Sequence, residues 1–356
     1  MKVILAGGGT GGHVFPALAV ARALETLGAK PHFVGAARGL EATAVPKAGY
    51  PLTLLPLEPM KGGGVRRAMR GGVIAATGVA AATRLLRRER PSVVLGVGGY
   101  AAGPACLAAA VLGIPMAVLE PNAVPGFTNR MLMPFAARAY VAWGEAGRKF
   151  KTFRVLGVPV RAGFLVAPYE PSPPHRIVVL GGSQGAQSLN RGLPAAFGAL
   201  QRQGHTLSVI HQTGKHSVEE VESAYRAQGV EARVTSFLED VPGAFAAASL
   251  VVARGGASTV AEILASGRPS VLVPFPFAAD DHQTANARLV EQSRAGLHVA
   301  EAELEARIVT VLGNLLGDPA RLSAMATAAA AHGRPDAAAT IARDLLDLPF
   351  STAPRR

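Results

Sequence analysis

Short runs of Val, Ile and Leu alternate along the chain with longer Ala/Leu-rich stretches. The short runs are apolar at successive positions, as expected of strands buried on both faces of a parallel sheet. This predicts strands at Val3–Ala6, His32–Gly35, Val93–Leu95, Met116–Leu119, Ile177–Leu180 and Leu250–Ala253. Helical spacing is expected over Phe15–Leu27, where Gly28 stops it, over Ala105–Leu112, and over about Asp336–Leu348 with Ile341, Leu345 and Leu348 on one face. Strand–helix alternation of this kind is the pattern of an α/β fold with doubly wound parallel sheets.

The pattern also occurs twice. VILAGGGTGGHVFPALAVARAL at the start and IVVLGGSQGAQSLNRGLPAAF at 177–197 both run strand, glycine loop, helix. Between them, Val155–His175 carries Pro159, Pro168, Pro171, Pro173 and Pro174, so neither a helix nor a central strand is expected to cross it. Two doubly wound domains follow, 1–160 and 161–336. Spacing alone leaves open which of them the last helix joins. Pro91–Leu119 has no charged residue and is long enough to span a bilayer. Gly98-Gly99, Gly103-Pro104 and Gly113-Ile114-Pro115 divide it, and it reads as strand, loop, short helix and buried strand.

Composition narrows the class. The 356 residues are 49% hydrophobic and 17% charged, with a mean hydropathy of +0.27, which excludes wholesale disorder. A lone cysteine, Cys106, excludes a disulfide framework and a cysteine-built metal centre. Met1-Lys2 precedes only four apolar residues before Gly7, too few for a signal-peptide core. The net charge of +12 is located in the first half, where residues 1–160 hold 19 Lys/Arg against 6 Asp/Glu. Eight of those bases (Lys61, Arg66, Arg67, Arg70, Arg84, Arg87, Arg88, Arg90) fall within 60–90 beside one acid, Glu89. Such a patch suits nucleic acid or an anionic membrane, or is a solvated helix face. Residues 60–90 contain no Phe, Tyr or Trp to stack on bases, which argues against nucleic acid.

Three glycine clusters are candidate ligand loops. Gly7–Gly12 satisfies G-x-G-x-x-G, but the second strand ends without the carboxylate that a dinucleotide ribose needs, Glu41 lying beyond it. His13 stands where the following helix begins; the positive helix end favours a neutral imidazole, suited to a general base on a sugar hydroxyl. A histidine that merely satisfies a loop carbonyl is the other reading. Gly181–Gly185, with Ser183, offers amides and a helix dipole to a diphosphate. Arg254–Thr259 opens the helix containing Glu262, which either accepts ribose hydroxyls or closes a capping box spelled Thr259-x-x-Glu262. Asp280-Asp281-His282-Gln283 with Asn286 places hydrogen-bonding groups at helical spacing.

Eight motifs in order carry a resemblance: GGGTGGHVFPALA (7–19), VVLGVGGYAAGP (93–104), EPNAVPGFTNR (120–130), GVPVR (157–161), GGSQGAQSLN (181–190), HQTGK (211–215), RGGASTVAE (254–262) and DDHQTANA (280–287). Together they resemble the MurG family of glycosyltransferases, which move N-acetylglucosamine from UDP-N-acetylglucosamine onto lipid I in peptidoglycan synthesis. The resemblance implies a GT-B fold, two Rossmann-like domains facing across a cleft. The first would take the lipid acceptor together with the last helix, about 337–356, and the second, to 336, the nucleotide sugar. It implies inversion, no bound cofactor and no metal at the diphosphate, where amides and helix ends stabilise departing UDP. It also implies His13 as the base for the acceptor 4-hydroxyl. Thr10, Gly11 and Gly12 match a loop at the acceptor diphosphate that counts among the donor contacts. Tyr100, Glu120 and Asn129 are similar to acceptor-side residues, as is Asn122, which is also assigned to the donor.

On the donor side the resemblance assigns Arg161 and Ser183 near the diphosphate, with Asn190 in the same motif. Phe237 and Leu238 match the segment against which uracil packs. Arg254 and Ala257 fall in the third glycine loop, Glu262 matches the ribose ligand, and His282, Gln283 and Asn286 the segment that reads the sugar. This chain departs from the family's commoner residues at Leu119, Pro121, Val158, Gly255 and His282. If 65–74 is helical, Val65, Met69 and Val73 share a face beside Arg66, Arg67 and Arg70, the make-up of an interfacial helix. A peripheral protein on the cytoplasmic face of the bacterial plasma membrane is expected. Another GT-B enzyme acting on a lipid or nucleotide sugar is the alternative.

Overall fold

A computed structural model describes residues 1–57, 65–182, 185–215 and 217–351, without the side chains of 65–75 and 351. Two compact units make up the chain, Met1–Arg161 with Asp336–Arg356, and Ala162–Pro335. Lys61 and Ser183 lie outside the described residues.

The first unit opens with β1 (Lys2–Ala6), α1 (Gly11–Thr26), β2 (Lys30–Ala36), α2 (Glu41–Lys47), β3 (Leu52–Leu55) and α3 (Val65–Glu89). It continues with β4 (Val93–Gly96), α4 (Ala102–Val111), β5 (Met116–Glu120), α5 (Phe127–Leu132), β6 (Arg138–Val141), α6 (Gly144–Gly147) and β7 (Phe153–Val155). All strand pairs are parallel and the sheet order is β3-β2-β1-β4-β5-β6-β7. Strand β1 shows why its residues are uniformly apolar. Val3 and Leu5 enter one core with α1, while Ile4 and Ala6 enter the other with α3 and α4. Side chains alternate along a strand, so a sheet covered on both faces needs apolar residues at every position. The uncharged stretch after Pro91 is therefore β4, α4 and β5, and among the described residues no helix is long and apolar enough to cross a membrane.

The second unit runs β8 (His175–Leu180), α7 (Gln187–Arg202), β9 (Leu207–Gln212), α8 (Val218–Ala227), β10 (Ala232–Thr235) and α9 (Val241–Ala247). Then follow β11 (Leu250–Ala253), α10 (Ala257–Ala265), β12 (Ser270–Leu272), α11 (His282–Gln292), β13 (Gly296–His298), α12 (Leu304–Leu316) and α13 (Pro319–His332). Its parallel sheet has the order β10-β9-β8-β11-β12-β13. The proline-rich joint holds no helix or strand between Val155 and His175.

The last helix, α14 (Ala337–Ser351), belongs to the first unit. Ile341, Leu345 and Leu348 are buried in the core that contains Val3, Leu5 and the inner face of α1. Each contributes roughly 1.5–3 kcal/mol by leaving water. A polar tie fixes the register: Asp344 is buried, Arg138 Nη1 lies 2.6 Å from each of its oxygens, Arg154 Nη1 is 3.0 Å away, and the Tyr140 hydroxyl donates at 2.9 Å. Burial, then the adjacent Asp344 carboxylate, pushes the Tyr140 phenol far up.

Helix α1 begins at Gly11, four residues before the expected Phe15. The glycines of 11–12 are poor helix formers in isolation, but the pitch set by Val14, Ala17, Leu18 and Ala21 against the sheet carries the helix back into the loop. His13 therefore sits inside the first turn.

Candidate active site

In a doubly wound sheet, ligands bind beyond the carboxyl ends of the strands where the strand order reverses. Those points lie between β1 and β4 in the first unit and between β8 and β11 in the second. Both are bordered by the glycine loops.

In the first unit, the loop after β1 is pressed against the loop after β4. Gly8 N donates to Gly98 O at 3.2 Å, and a Cβ on Gly99 would lie 2.3 Å from Gly8 O, so only glycine fits there. His13 Nδ1 is 3.2 Å from Gly8 O and 3.4 Å from Thr10 Oγ1. A carbonyl oxygen only accepts, so Nδ1 carries the hydrogen and the lone pair of a neutral ring is on Nε2. The room for that ring comes from Gly98, where a Cβ would be 2.7 Å from Nε2. Tyr100 is half-exposed with its hydroxyl beside Gly9.

Glu41 was missed as a functional residue because it lies past the end of the second strand. The chain turns back there, so Glu41 Oε1 accepts from Ala36 N at 3.0 Å and Oε2 from Gly9 N at 2.7 Å. A carboxylate thus does stand at the end of β2, but it is only 1% exposed and aimed at the loop rather than at a ribose. Its signal in the sequence is the glycines at 8, 35 and 39, whose Cβ atoms would collide with it at 2.0–2.4 Å. With Gly7 N held by Val34 O, the first three amides of the loop are already engaged before Thr10, Gly11 and Gly12 lead into α1.

Glu120 is buried beneath the loop after β5 rather than displayed on it. Oε1 accepts from Asn122 N (2.9 Å) and Nδ2 (3.3 Å), and Oε2 from Gly126 N and Asn129 Nδ2, both at 2.9 Å. Burial pushes its carboxyl above the usual range against the pull of these four bonds. Asn129 Nδ2 also donates to Leu119 O at 3.0 Å. Glu120, Asn122 and Asn129 therefore shape the loop. Arg161, at the end of the first unit, stacks 5.7 Å above the Phe15 ring of α1.

The second unit treats its loops differently. Gln212 Nε2 donates to Gly182 O and Ser236 O, both at 3.0 Å, and Asn286 Nδ2 donates to Gly255 O at 2.9 Å. His211, fully buried, bridges Tyr225 and Asn190, and Asn190 Nδ2 donates to Thr213 O. Burial drives the His211 imidazole down to about 3, so it is a neutral core residue. Among the described residues, the Gly255 and Gly256 amides donate to no protein group. Helix α10 starts at Ala257 with Gly256 as an N-cap lacking a side-chain bond. Thr259 is thus inside the helix and the capping-box spelling is not used. Glu262 is buried on α10.

Arg254 is engaged within its own unit. It pairs with Glu301, donates to Val273 O, Pro274 O and the Ser188 hydroxyl, and lies 5.5 Å over the Phe275 ring. It acts as a brace under the loop, and Glu301, 47 positions away, was not a partner any spacing indicated. Asn286, expected to read the sugar, is fully buried against Gly255 for the same bracing purpose. Gln283 Oε1 accepts from Phe275 N (3.0 Å) and His282 Nδ1 donates to Ala279 O (2.6 Å). Asp280 and Asp281 both hold positive φ, 52° and 49°, a costly pair of conformations concentrated at this loop. Phe237 is 61% exposed and Leu238 buried beneath it, and both line a cavity of about 540 Å³ with Thr235, Arg233 and Asp240. Among the described residues no cluster of His, Cys, Asp and Glu could hold a metal ion.

Two doubly wound parallel units, each with a glycine loop at its switch point, are the architecture of the GT-B fold. The N-terminal domain of glycosyltransferase family 28 matches residues 3–141 and its C-terminal domain residues 176–341. A UDP-N-acetylglucosamine–N-acetylmuramyl-(pentapeptide) pyrophosphoryl-undecaprenol N-acetylglucosamine transferase of Sorangium cellulosum is 45% identical, the match covering 100% of this chain and 90% of that one. A protein of the same name from Anaeromyxobacter sp. is 43% identical over 96% and 92% of the two chains. The crystal structure of Acinetobacter baumannii MurG superposes with a TM-score of 0.82 at 30% identity, covering 97% of this chain and 99% of that one. The chain belongs to glycosyltransferase family 28 and, within it, to the MurG family.

Proposed function

We propose that this enzyme transfers N-acetylglucosamine from UDP-N-acetylglucosamine to the 4-hydroxyl of the N-acetylmuramyl residue of lipid I, with inversion, to form lipid II. The substrates follow from the family. The observation that carries the mechanism is the His13 ring, whose Nδ1 faces Gly8 O and so leaves Nε2 as the basic nitrogen. Nε2 takes the proton of the acceptor hydroxyl as its oxygen bonds to C1 of the sugar and the bond from C1 to the diphosphate breaks. Departing UDP is stabilised by loop amides such as those of Gly255 and Gly256 and by the open N-terminus of α10, without a divalent cation. Phe237 and Leu238 offer the face for uracil and Glu262 the acceptor for ribose hydroxyls. Thr10, Gly11, Gly12 and Tyr100 border the acceptor side, and His282 and Gln283 the sugar.

Helix α3 supports work at a membrane surface. It is continuous over 25 residues, and Arg84, Arg87 and Arg88 are exposed along its last turns. Each base near an anionic leaflet contributes roughly 1 kcal/mol, which favours a peripheral position on the cytoplasmic face of the plasma membrane. Co-sedimentation with anionic but not neutral vesicles, lost at high salt, is the expected result.

The deciding experiment follows UDP release from UDP-N-acetylglucosamine with and without a short-chain lipid I analogue, in EDTA. Acceptor-dependent release that survives EDTA is expected. Release with diacylglycerol in place of the analogue would overturn the acceptor assignment. Activity restored only by magnesium would overturn the metal-free account.

A further inference from the structure

The first glycine loop contains a connected chain of hydrogen bonds that ends on the imidazole. Glu41 Oε2 accepts from Gly9 N at 2.7 Å, and His13 Nδ1 is 3.2 Å from Gly8 O. Gly8 C=O and Gly9 N–H are the two ends of a single peptide group. The carboxylate therefore holds one end of that group while the imidazole holds the other.

We propose that Glu41 is a positioning residue for His13, acting through the Gly8–Gly9 peptide. The proposal rests on the reading of His13 as the general base. A negative charge at the N–H end polarises the amide and makes its carbonyl a stronger acceptor, the cooperative effect of hydrogen bonds in series. The Nδ1–H bond to Gly8 O is strengthened, the ring is held in the tautomer with its lone pair on Nε2, and its plane is fixed. A carboxylate in direct contact does this behind many functional histidines; here a peptide group stands between.

Several features support this coupling. Both Glu41 oxygens accept from backbone N–H groups, Oε1 from Ala36 as well, so the side chain is fixed at both ends of its carboxylate. It is 1% exposed and so removed from substrate. Added Cβ atoms at Gly8, Gly35 and Gly39 would meet its side chain at 2.1, 2.4 and 2.0 Å. Gly99 in turn leaves space for the Gly8 carbonyl, which a Cβ there would approach to 2.3 Å. During transfer the acceptor proton moves to Nε2 and the ring becomes a cation hydrogen-bonded to the polarised carbonyl. Glu41 takes no proton.

The test reads the ring rather than the product. In full-length enzyme labelled with ¹⁵N-histidine, the His13 signals are assigned by their loss in His13→Gln. Wild type is expected to show a protonated Nδ1 and an unprotonated Nε2. Glu41→Gln keeps the side-chain shape but turns an NH₂ toward one of the two backbone donors. In that variant the tautomer is expected to shift toward Nε2–H. Its kcat is expected to fall by about 10–100-fold, the range for partners behind a functional histidine, with the KM for UDP-N-acetylglucosamine unchanged. An unaltered tautomer and kcat in a folded Glu41→Gln enzyme would overturn the proposal. A dominant Nε2–H form in wild type would overturn it too, whether or not the variant folds. A tautomer shift in Glu41→Gln beside a fully active His13→Ala would uphold the coupling and remove the base assignment, so the two ideas fail separately.

Discussion

The glycine loops after β1 and β11 look alike in the sequence and differ in which backbone groups the protein leaves open. In the first unit the N–H groups of Gly7, Gly8 and Gly9 are taken by Val34 O, Gly98 O and the Glu41 carboxylate. In the second unit the loop after β8 has Gly181 N and Gly185 N taken by Gln212 O and Gly182 O, whereas after β11 the Asn286 side chain takes the Gly255 carbonyl and, among the described residues, the Gly255 and Gly256 amides donate to no protein group. A loop whose donors are occupied and which has a buried carboxylate behind it is a poor seat for phosphate and a good mount for a base. A loop whose acceptors are occupied is an anion seat. On the proposed reading the same Gly-rich spelling serves chemistry in one unit and binding in the other, and the difference lies in the groups that brace it.

The sharpest way to break this division is His13→Ala. We expect kcat to fall by roughly 10²–10⁴-fold, the range for a positioned acid–base group, with UDP affinity by calorimetry unchanged. Near-normal turnover would return His13 to a loop-bracing role. Glu262→Ala should do the reverse, weakening UDP by roughly 1.5–3 kcal/mol if its charge accepts ribose hydroxyls. Loss of stability with undiminished UDP affinity would make Glu262 a purely structural residue. Gly185→Ala tests the bracing itself, since its Cβ would lie 2.2 Å from Thr213 O at a φ of +77°. About 1–3 kcal/mol of stability should disappear on denaturant unfolding, and UDP binding should weaken with it.

The smallest effect concerns pH. The His211 imidazole titrates at about 3 in the folded protein, below its ordinary 6.5, because burial penalises its charge. The unfolded chain therefore binds its proton first on acidification. Stability from this group is complete above pH 6.5 and falls toward pH 3, by up to about 1.4 kcal/mol per pH unit. In His211→Asn that slope should vanish from pH-dependent unfolding of the second unit; an unchanged slope would place the titration elsewhere.

Much of the fold was legible. Leu250–Ala253 forms β11 with the expected bounds, and the other expected strands differ by a residue or two at their ends, because a doubly covered strand writes its burial at every position. What was hidden is polar and distant. Nothing in the spacing of Glu41 announces that the chain turns back to bring it under Gly9. Arg254, assigned to the donor side by resemblance, is held by Glu301 and two carbonyls that no spacing indicated. The capping-box letters at 259–262 failed because α10 starts earlier, at the glycine that leaves its first amides open. Local letters report periodicity well, whereas a buried hydrogen bond is a fact about two segments at once.

The return of α14 to the first unit has a consequence for how the chain matures. The half of the molecule that leaves the ribosome first has part of its hydrophobic interior delivered last, by Ile341, Leu345 and Leu348. Until then the core between α1 and the sheet lacks the wall that α14 supplies, and the Arg138 and Arg154 guanidinium groups have no Asp344. The middle of the chain can complete its own core during synthesis, while the beginning waits for the end. Clipping the polypeptide after Pro335 would therefore injure the region most remote from the cut in sequence.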